Sequence, residues 1–377
     1  MLYEGQHFGE EERYILVKQL GFGGFSEVWL ATDTMTNVQV AIKVYATNQG
    51  MDSGGIDMFK REFSVVFDMN HTNLLRPTYY GSWERMPYLI MPLCRKGSLY
   101  KKYIENGQTM SEQNCWLVLH DVAAGLAYLH QTEPPVIHQD IKPDNILIGD
   151  DDHYLITDFG ISSHARETVR RLSPKGQSGG TLAYMAPERF SSRPRPIPAS
   201  DIWSLGAMMF ELMTCTLPFG STGGAAQRTI RKPGEQPEVQ STTTPEIKGD
   251  YSQELKNLVC QCISEEVKKR PTADKIEEIT YIHLHRVMAS DHSLSADRWA
   301  QPSDNHRPYE QKPLVEAGGE QMPTPSLPPS YDYGNYGNRG ERGKPRGSNK
   351  WFILAVVIAV VLLVLLSLYV LSTIGIL

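Results

Sequence analysis

The hydrophobic positions change period along the chain, and each change marks a different element. After a polar lead-in over residues 1–12, Tyr14–Leu20 alternates in a way that predicts a strand, and Val40–Lys43 and Tyr88–Met91 are short apolar runs of strand length. Phe59–Phe67 has apolar residues at helical spacing, and Gly54-Gly55 just before it predicts a mobile approach to that helix. From Ser111 to His130 the period is helical, with Trp116, Leu117, Leu119, Val122, Leu126 and Leu129 mostly on one face and Ser111-Glu112-Gln113-Asn114 as a plausible start. Ile146–Ile148 is a short strand, Asp201–Gly206 opens another helix, and Leu255–Ile263 and Ala273–Ile282 predict the last two. Thr222–Gly249 is rich in Pro, Gly and Thr and predicts a loop.

Over 287–350 the apolar residues thin out in favour of Pro, Gly, Asn, Ser and Tyr, and such a stretch cannot bury enough surface to fold. Its Pro323–Pro329 run reads as a spacer, with an adaptor-binding site as the alternative. The pattern then reverses. Trp351–Leu377 has no charged residue, and Phe352–Leu371 is almost purely aliphatic with no polar face. About twenty such residues as a helix match the hydrocarbon thickness of a bilayer. Trp351 suits the membrane interface, and Arg339, Arg342, Lys344, Arg346 and Lys350 before it place the preceding domain on the cytoplasmic side. With only 372–377 beyond the span, the expectation is a single-pass tail anchor.

Composition narrows the rest. A hydrophobic content of 41% is ordinary for a globular chain, and a net charge of −6 argues against a general nucleic-acid binder. Five scattered cysteines do not suggest a disulfide framework, and Cys260-x-Cys262 reads as a buried helix face rather than a metal site.

The chemistry gathers in His138–Asn145, H-Q-D-I-K-P-D-N, with Asp158-Phe159-Gly160 downstream. One carboxylate can orient a hydroxyl, a lysine two places on can meet a moving phosphate, and an amide and a second acid can supply oxygen ligands to Mg²⁺. Upstream lie the glycine-rich Gly21-Phe22-Gly23-Gly24-Phe25-Ser26-Glu27-Val28 and Val40-Ala41-Ile42-Lys43. Downstream lie Gly180–Glu188, ending Ala-Pro-Glu, and Asp201-Ile202-Trp203-Ser204-Leu205-Gly206. In this order and register the motifs resemble the eukaryotic-type Ser/Thr protein kinases over residues 14–285.

That resemblance implies an α+β bilobal fold. A small antiparallel lobe with one helix would span 14–91 and a mainly helical lobe 95–285, followed by the linker and the span. Asp140 would be the catalytic base and Lys142 the γ-phosphate contact. Asn145 and Asp158 would hold Mg²⁺, or Mn²⁺ in its place. ATP would lie against Leu20, Gly21, Phe22, Gly23, Gly24, Phe25, Ser26, Val28, Ala41 and Leu147. Lys43 would grip its α- and β-phosphates, locked by an ion pair with Glu62. Met91 would be the gatekeeper, and Pro92, Leu93 and Cys94 the hinge along the adenine, where Pro92 needs to offer only its carbonyl. Glu188 would pair with Arg270, and Asp201 would brace the catalytic loop. Lys142 and Thr181 resemble the Ser/Thr-directed members, so the expected partners are protein Ser and Thr hydroxyls, with autophosphorylation, and the lipid bilayer; no nucleic acid is expected.

Two residues depart from the family pattern. Ser26 replaces the third glycine. Gln139 replaces the arginine that would capture a phosphate on the activation loop, and an uncharged amide cannot make that bidentate contact. Activity is therefore expected not to depend strongly on phosphorylation within Ser162–Gly180. A non-catalytic scaffold is disfavoured because Lys43, Glu62, Asp140, Lys142, Asn145 and Asp158 are all present; a missing metal ligand would have reversed that judgement.

Overall fold

The computed structural model describes residues 2–22, 26–46, 50–51, 53–67, 69–158, 182–191, 196–227 and 245–290, without the side chains of residues 58, 61, 62, 64–66, 288 and 290. The expected span at 352–371 lies outside them, as does all of the linker beyond Ser290. Among the described residues no helix is long and apolar enough to cross a membrane.

The first lobe is a six-stranded antiparallel sheet formed by β1 (His7–Phe8), β2 (Tyr14–Phe22), β3 (Ser26–Asp33), β4 (Val38–Tyr45), β5 (Tyr79–Trp83) and β6 (Met86–Pro92), in the order β1-β2-β3-β4-β6-β5. Two register shifts in β2, between Leu16 and Lys18 and between Gln19 and Gly21, fit a strongly coiled sheet. The coil brings the two edges together. Phe8, on the outermost strand, lies 4.8 Å from the Trp83 ring on the opposite edge strand β5 and 5.0 Å from Tyr88 on the adjoining β6, and is fully buried. Leu2 is buried in the same cluster, and Tyr79 donates a hydrogen bond to Glu10 at 3.0 Å. The polar lead-in is thus a closing strap of the small lobe, since alternating short-range polarity hid two residues that tertiary closure buries.

α1 (Ser53–Phe67) crosses this sheet. Its Phe59 and Phe63 are one helical turn apart, with ring centroids 4.5 Å apart and tilted at 36°, and together they cover Tyr45, Met51 and Leu89. Gly54 and Gly55 form its first turn rather than a mobile approach. The packing of that apolar face outweighs the roughly 1 kcal/mol that each glycine costs in a helix.

The second lobe is built on α2 (Glu112–His130), α3 (Pro198–Thr214), α4 (Gln253–Cys262) and α5 (Ala273–Ser290). Ser111 caps α2 by accepting from the Asn114 N–H at 3.4 Å. Every residue of α3 from Ser200 to Met213 is buried, which is what a helix apolar on all sides requires, so α3 is the axis of the lobe. Cys262 is buried on α4, with Cys260 partly buried against the same core. Gly220–Gln227, which overlaps the start of the segment expected to be a loop, is 3-10 helical with a kink at Gly223, and α5 runs to Ser290, beyond the predicted Ile282. A small hairpin, β7 (Ile146–Ile148) with β8 (Tyr154–Ile156), projects towards the sheet. There the backbone joins the lobes: Leu75 N–H donates to Ile156 O at 2.8 Å, and Ile156 N–H to Asn73 O at 2.9 Å.

Candidate active site

Strand register assembles the roof of the cleft. Val28 pairs with Lys43 across β3 and β4, and Ala41 pairs with Met91 across β4 and β6. Ala41 and Met91 are buried with Leu75 in a small apolar cluster, against which Leu93, Cys94 and Leu147 pack. This puts the residues expected along the adenine into one patch drawn from both lobes. Burial pushes the Cys94 thiol up to about 11, aided by Asp150 and Asp151, so it is a neutral spectator near pH 7. Pro92 is exposed, where its missing N–H leaves nothing unsatisfied. Lys101 reaches across from the helical lobe and donates to Leu20 O at 3.0 Å, fixing the strand that leads to the glycine-rich turn. Gly21 and Phe22 are exposed on β2, and Ser26 and Val28 half-buried on β3. Gly23, Gly24 and Phe25 lie outside the described residues, as does the side chain of Glu62, so the expected Lys43–Glu62 pair does too.

Lys43 has a visible partner all the same. Its Nζ stands 2.5 Å from Asp158 Oδ2, an ion pair joining β4 to the loop after β8. Asp158 has φ 65, a left-handed backbone uncommon for a residue with a side chain.

The loop between α2 and β7 is held by a buried hydrogen-bond network. Asp201, fully buried at the start of α3, accepts from the His138 and Gln139 N–H groups, each at 2.8 Å, and contacts His130 Nε2 at 2.9 Å. Gln139 has φ 68, a second left-handed residue, and at that turn its own N–H and that of His138 meet one carboxylate. His138 is fully buried, accepting from Asp140 N–H at Nδ1 (3.2 Å) and bonding Thr157 O through Nε2 (2.9 Å), which sets the proton on Nε2. One imidazole therefore ties the residue expected as base to Thr157, the neighbour of Asp158 in the loop after β8.

Asp140 is the centre of this loop. Its Oδ2 is 3.2 Å from Lys142 Nζ and accepts from Asn145 Nδ2 at 3.0 Å, and Asn145 Nδ2 also donates to Asp140 O at 2.7 Å. Asn145 thereby spends its amide N–H groups on the loop, which leaves its carbonyl oxygen as the ligating end. That oxygen and the Asp158 carboxylate are hard donors of the kind Mg²⁺ takes, and the residues present fit the ion. Gln139 turns its side-chain amide back to Ile137 O at 3.4 Å.

Further down, Arg270 grips Glu188 with two bonds of 2.8 and 2.9 Å and also reaches Ala199 O and Ser264 O, so a buried guanidinium welds the segment after Tyr184 to the helical core. Tyr184 hydrogen-bonds Glu211 through its hydroxyl, and burial holds the Glu211 carboxyl above the usual range, with the Asp144 charge adding to it. The sequence reading passed over Glu211; its signal is a lone acid in the apolar run Ala207–Met213. The roles of His130, His138 and Asn73 were also missed, because their partners, the Asp201 carboxylate, Thr157 O and Tyr154 O, are distant in sequence.

The model of the protein kinase domain matches residues 14–282. The chain belongs to the protein kinase family. The probable serine/threonine-protein kinase PknB of Lactococcus lactis is 27% identical to it over 84% of this chain and 49% of that protein. CBL-interacting serine/threonine-protein kinase 2 of Arabidopsis thaliana is 30% identical over 72% and 56%, and an Aurora kinase of Yarrowia lipolytica 34% over 57% and 55%. The chain thus spans about half the length of the curated relatives it matches.

Proposed function

We propose that this protein is a membrane-anchored serine/threonine protein kinase that moves the γ-phosphoryl group of ATP to Ser and Thr hydroxyls of proteins, itself included. The observation that carries the reading is the contact set around Asp140: Lys142 and Asn145 both on its carboxylate, in a loop bonded through His138 to Thr157, next to the Asp158 that meets Lys43. An ATP molecule between the lobes would lie with its base on the Ala41–Met91–Leu147 patch and its phosphates towards Lys43. Asp140 would then orient the acceptor hydroxyl and take its proton, while Lys142 would neutralise charge on the transferred group. Asn145 and Asp158 would hold Mg²⁺, which supplies charge neutralisation at the phosphates. No covalent enzyme intermediate is needed.

The Ser/Thr preference is supported by Lys142 two residues after the base and by its similarity to the serine/threonine-protein kinases of Lactococcus lactis and Arabidopsis thaliana. The anchor is supported by the uncharged run Phe352–Leu371 and the basic residues before it, which favour a cytoplasmic kinase domain. The test incubates the full chain with labelled ATP, Mg²⁺ and a generic protein substrate, followed by phosphoamino-acid analysis and flotation with phospholipid vesicles. Phosphoserine or phosphothreonine, and flotation lost in Val361→Arg/Leu363→Arg, are expected; each arginine costs about 2.5–3.5 kcal/mol at the centre of a span. Phosphotyrosine alone, or flotation unaffected by the two arginines, would contradict the corresponding half of the reading.

A further inference from the structure

One side chain crosses from the helical lobe to the sheet a few residues after Pro92–Cys94: Lys101 donates through Nζ to Leu20 O at 3.0 Å. The receiving end is shaped for it. β2 pairs Gln19 with Trp29 and Gly21 with Val28, which are neighbours on β3, so Leu20 is the extra residue of a bulge. The ladder passes over such a residue, and the Leu20 carbonyl meets the lysine instead.

The donating end is a firm platform. Lys101 lies in Tyr100–Ile104, a π-helical turn in which Glu105 N–H donates to Tyr100 O at 2.9 Å. Such turns are rare and occur mostly at functional sites. Leu99 before it is fully buried and Tyr103 within it is buried, while Asn106 turns back and donates to Lys101 O at 2.8 Å and Lys102 O at 3.3 Å. Just upstream the chain is bonded to β7: Ile148 N–H donates to Gly97 O at 2.9 Å, and Ser98 bridges to Leu147. Leu147 belongs to the patch on which the adenine would lie, so Lys101 ties the floor of that site to its roof. The bonds of Ile156 with Leu75 and Asn73 join the lobes backbone to backbone. Lys101 differs from them: it is exposed, on a flexible four-carbon stem, with an ammonium that water satisfies well. It can therefore release and remake its bond without disturbing either lobe.

We propose that Lys101 is a latch on the nucleotide cleft: it holds the Leu20 end of the roof down over the adenine and slows the escape of ATP and ADP. It is a positioning residue, since it acts through Leu20 and leaves the phosphates to Lys43. The inference rests on the kinase reading. Without the latch the closed arrangement that grips the base is less populated in the free protein, and the apparent affinity falls by the same fraction. A hydrogen bond from a charged donor at an exposed site sets the size of that loss at about 3–10-fold.

The test compares the full chain with Lys101→Met, which keeps an unbranched stem but no donor, and with Lys102→Met. Lys102 stands on the same turn, with its Nζ 5.4 Å from the Tyr103 ring rather than on the sheet. Binding of adenosine, ADP and ATP is measured by calorimetry, and release of a fluorescent ADP by stopped flow. Lys101→Met should weaken all three ligands by one common factor of about 3–10, release ADP faster by a similar factor, and raise KM for ATP without lowering kcat, as loss of uniform binding does. Lys102→Met should stay near wild type. Unchanged affinity in Lys101→Met, or an equal loss in both variants, overturns the inference. So does a loss confined to ADP and ATP with adenosine unaffected, which would make Lys101 a phosphate contact. Hydrogen exchange needs no nucleotide: amides of 18–22 should exchange faster in Lys101→Met and those of 146–148 should not, and unchanged exchange at 18–22 also overturns it. A wild type that binds no nucleotide would sink the kinase reading, while exchange still decides whether Lys101 holds the roof strand.

Discussion

Replacing Asp201 by Asn tests how the catalytic loop is held. The carboxylate is fully buried and serves three partners, His138 N–H and Gln139 N–H at 2.8 Å and His130 Nε2 at 2.9 Å. Asparagine keeps the size but offers one acceptor oxygen, and its NH₂ must face a donor. At least one charge-assisted bond is lost, worth about 1.5–3 kcal/mol, and one buried N–H is left unpaired, at about 1–3 kcal/mol. Gln139 sits at φ 68, a conformation the loop keeps only while its neighbours over-determine it. Asp201→Asn should therefore lower unfolding stability by about 3–4 kcal/mol and reduce kcat more than it raises KM for ATP. The assay is urea denaturation of the two chains side by side, with initial rates of phosphate transfer at saturating ATP. A stability change under about 1 kcal/mol, the range of an ordinary surface substitution, with unchanged kcat, would refute the bracing argument.

Three other outcomes are expected. Phe8→Ala, which empties a fully buried site against Trp83 and Tyr88, should cost about 3–5 kcal/mol in urea unfolding, and a loss under 1 kcal/mol would mean that the N-terminal strap does not close the small lobe. Burial pushes the His71 imidazole down to about 4 from the ordinary 6.5, so between these values the unfolded chain takes up a proton that the folded chain refuses. Stability should drop by about 3 kcal/mol as pH is lowered through that window, and His71→Asn, which can still accept from Asn73 N–H, should remove that share of the slope in pH-dependent thermal melts; an identical slope would contradict it. Gln139 turns an uncharged amide to Ile137 O, so phosphatase treatment should leave most of the transfer activity in place, whereas Gln139→Arg should make activity phosphatase-sensitive; loss of most wild-type activity on treatment would contradict this.

What could be read from the sequence was what is written in contiguous residues. Asp140, Lys142 and Asn145 fall within six positions of one another, and their contacts in the fold are those of one tight loop. Glu188 and Arg270 are far apart in sequence, yet the family register named the pair that the structure joins. The start of α1 was misplaced because two glycines argue locally against a helix, and only the packing of Phe59 and Phe63 on the sheet overrules them. Phe8 was missed because two residues of strand carry no period, and its burial depends on sheet edges far apart in sequence. The left-handed backbones at Gln139 and Asp158 leave no mark in composition, since neither is glycine.

The most direct test is transfer of labelled phosphate from ATP to a Ser/Thr peptide by the full chain with Mg²⁺, beside Asp140→Asn, with ATP affinity measured for both. The account predicts transfer by the wild type, a fall in kcat of at least about a hundredfold in the variant, and nearly equal ATP affinity. Equal transfer by both chains, or ATP binding with no transfer by the wild type, would contradict it.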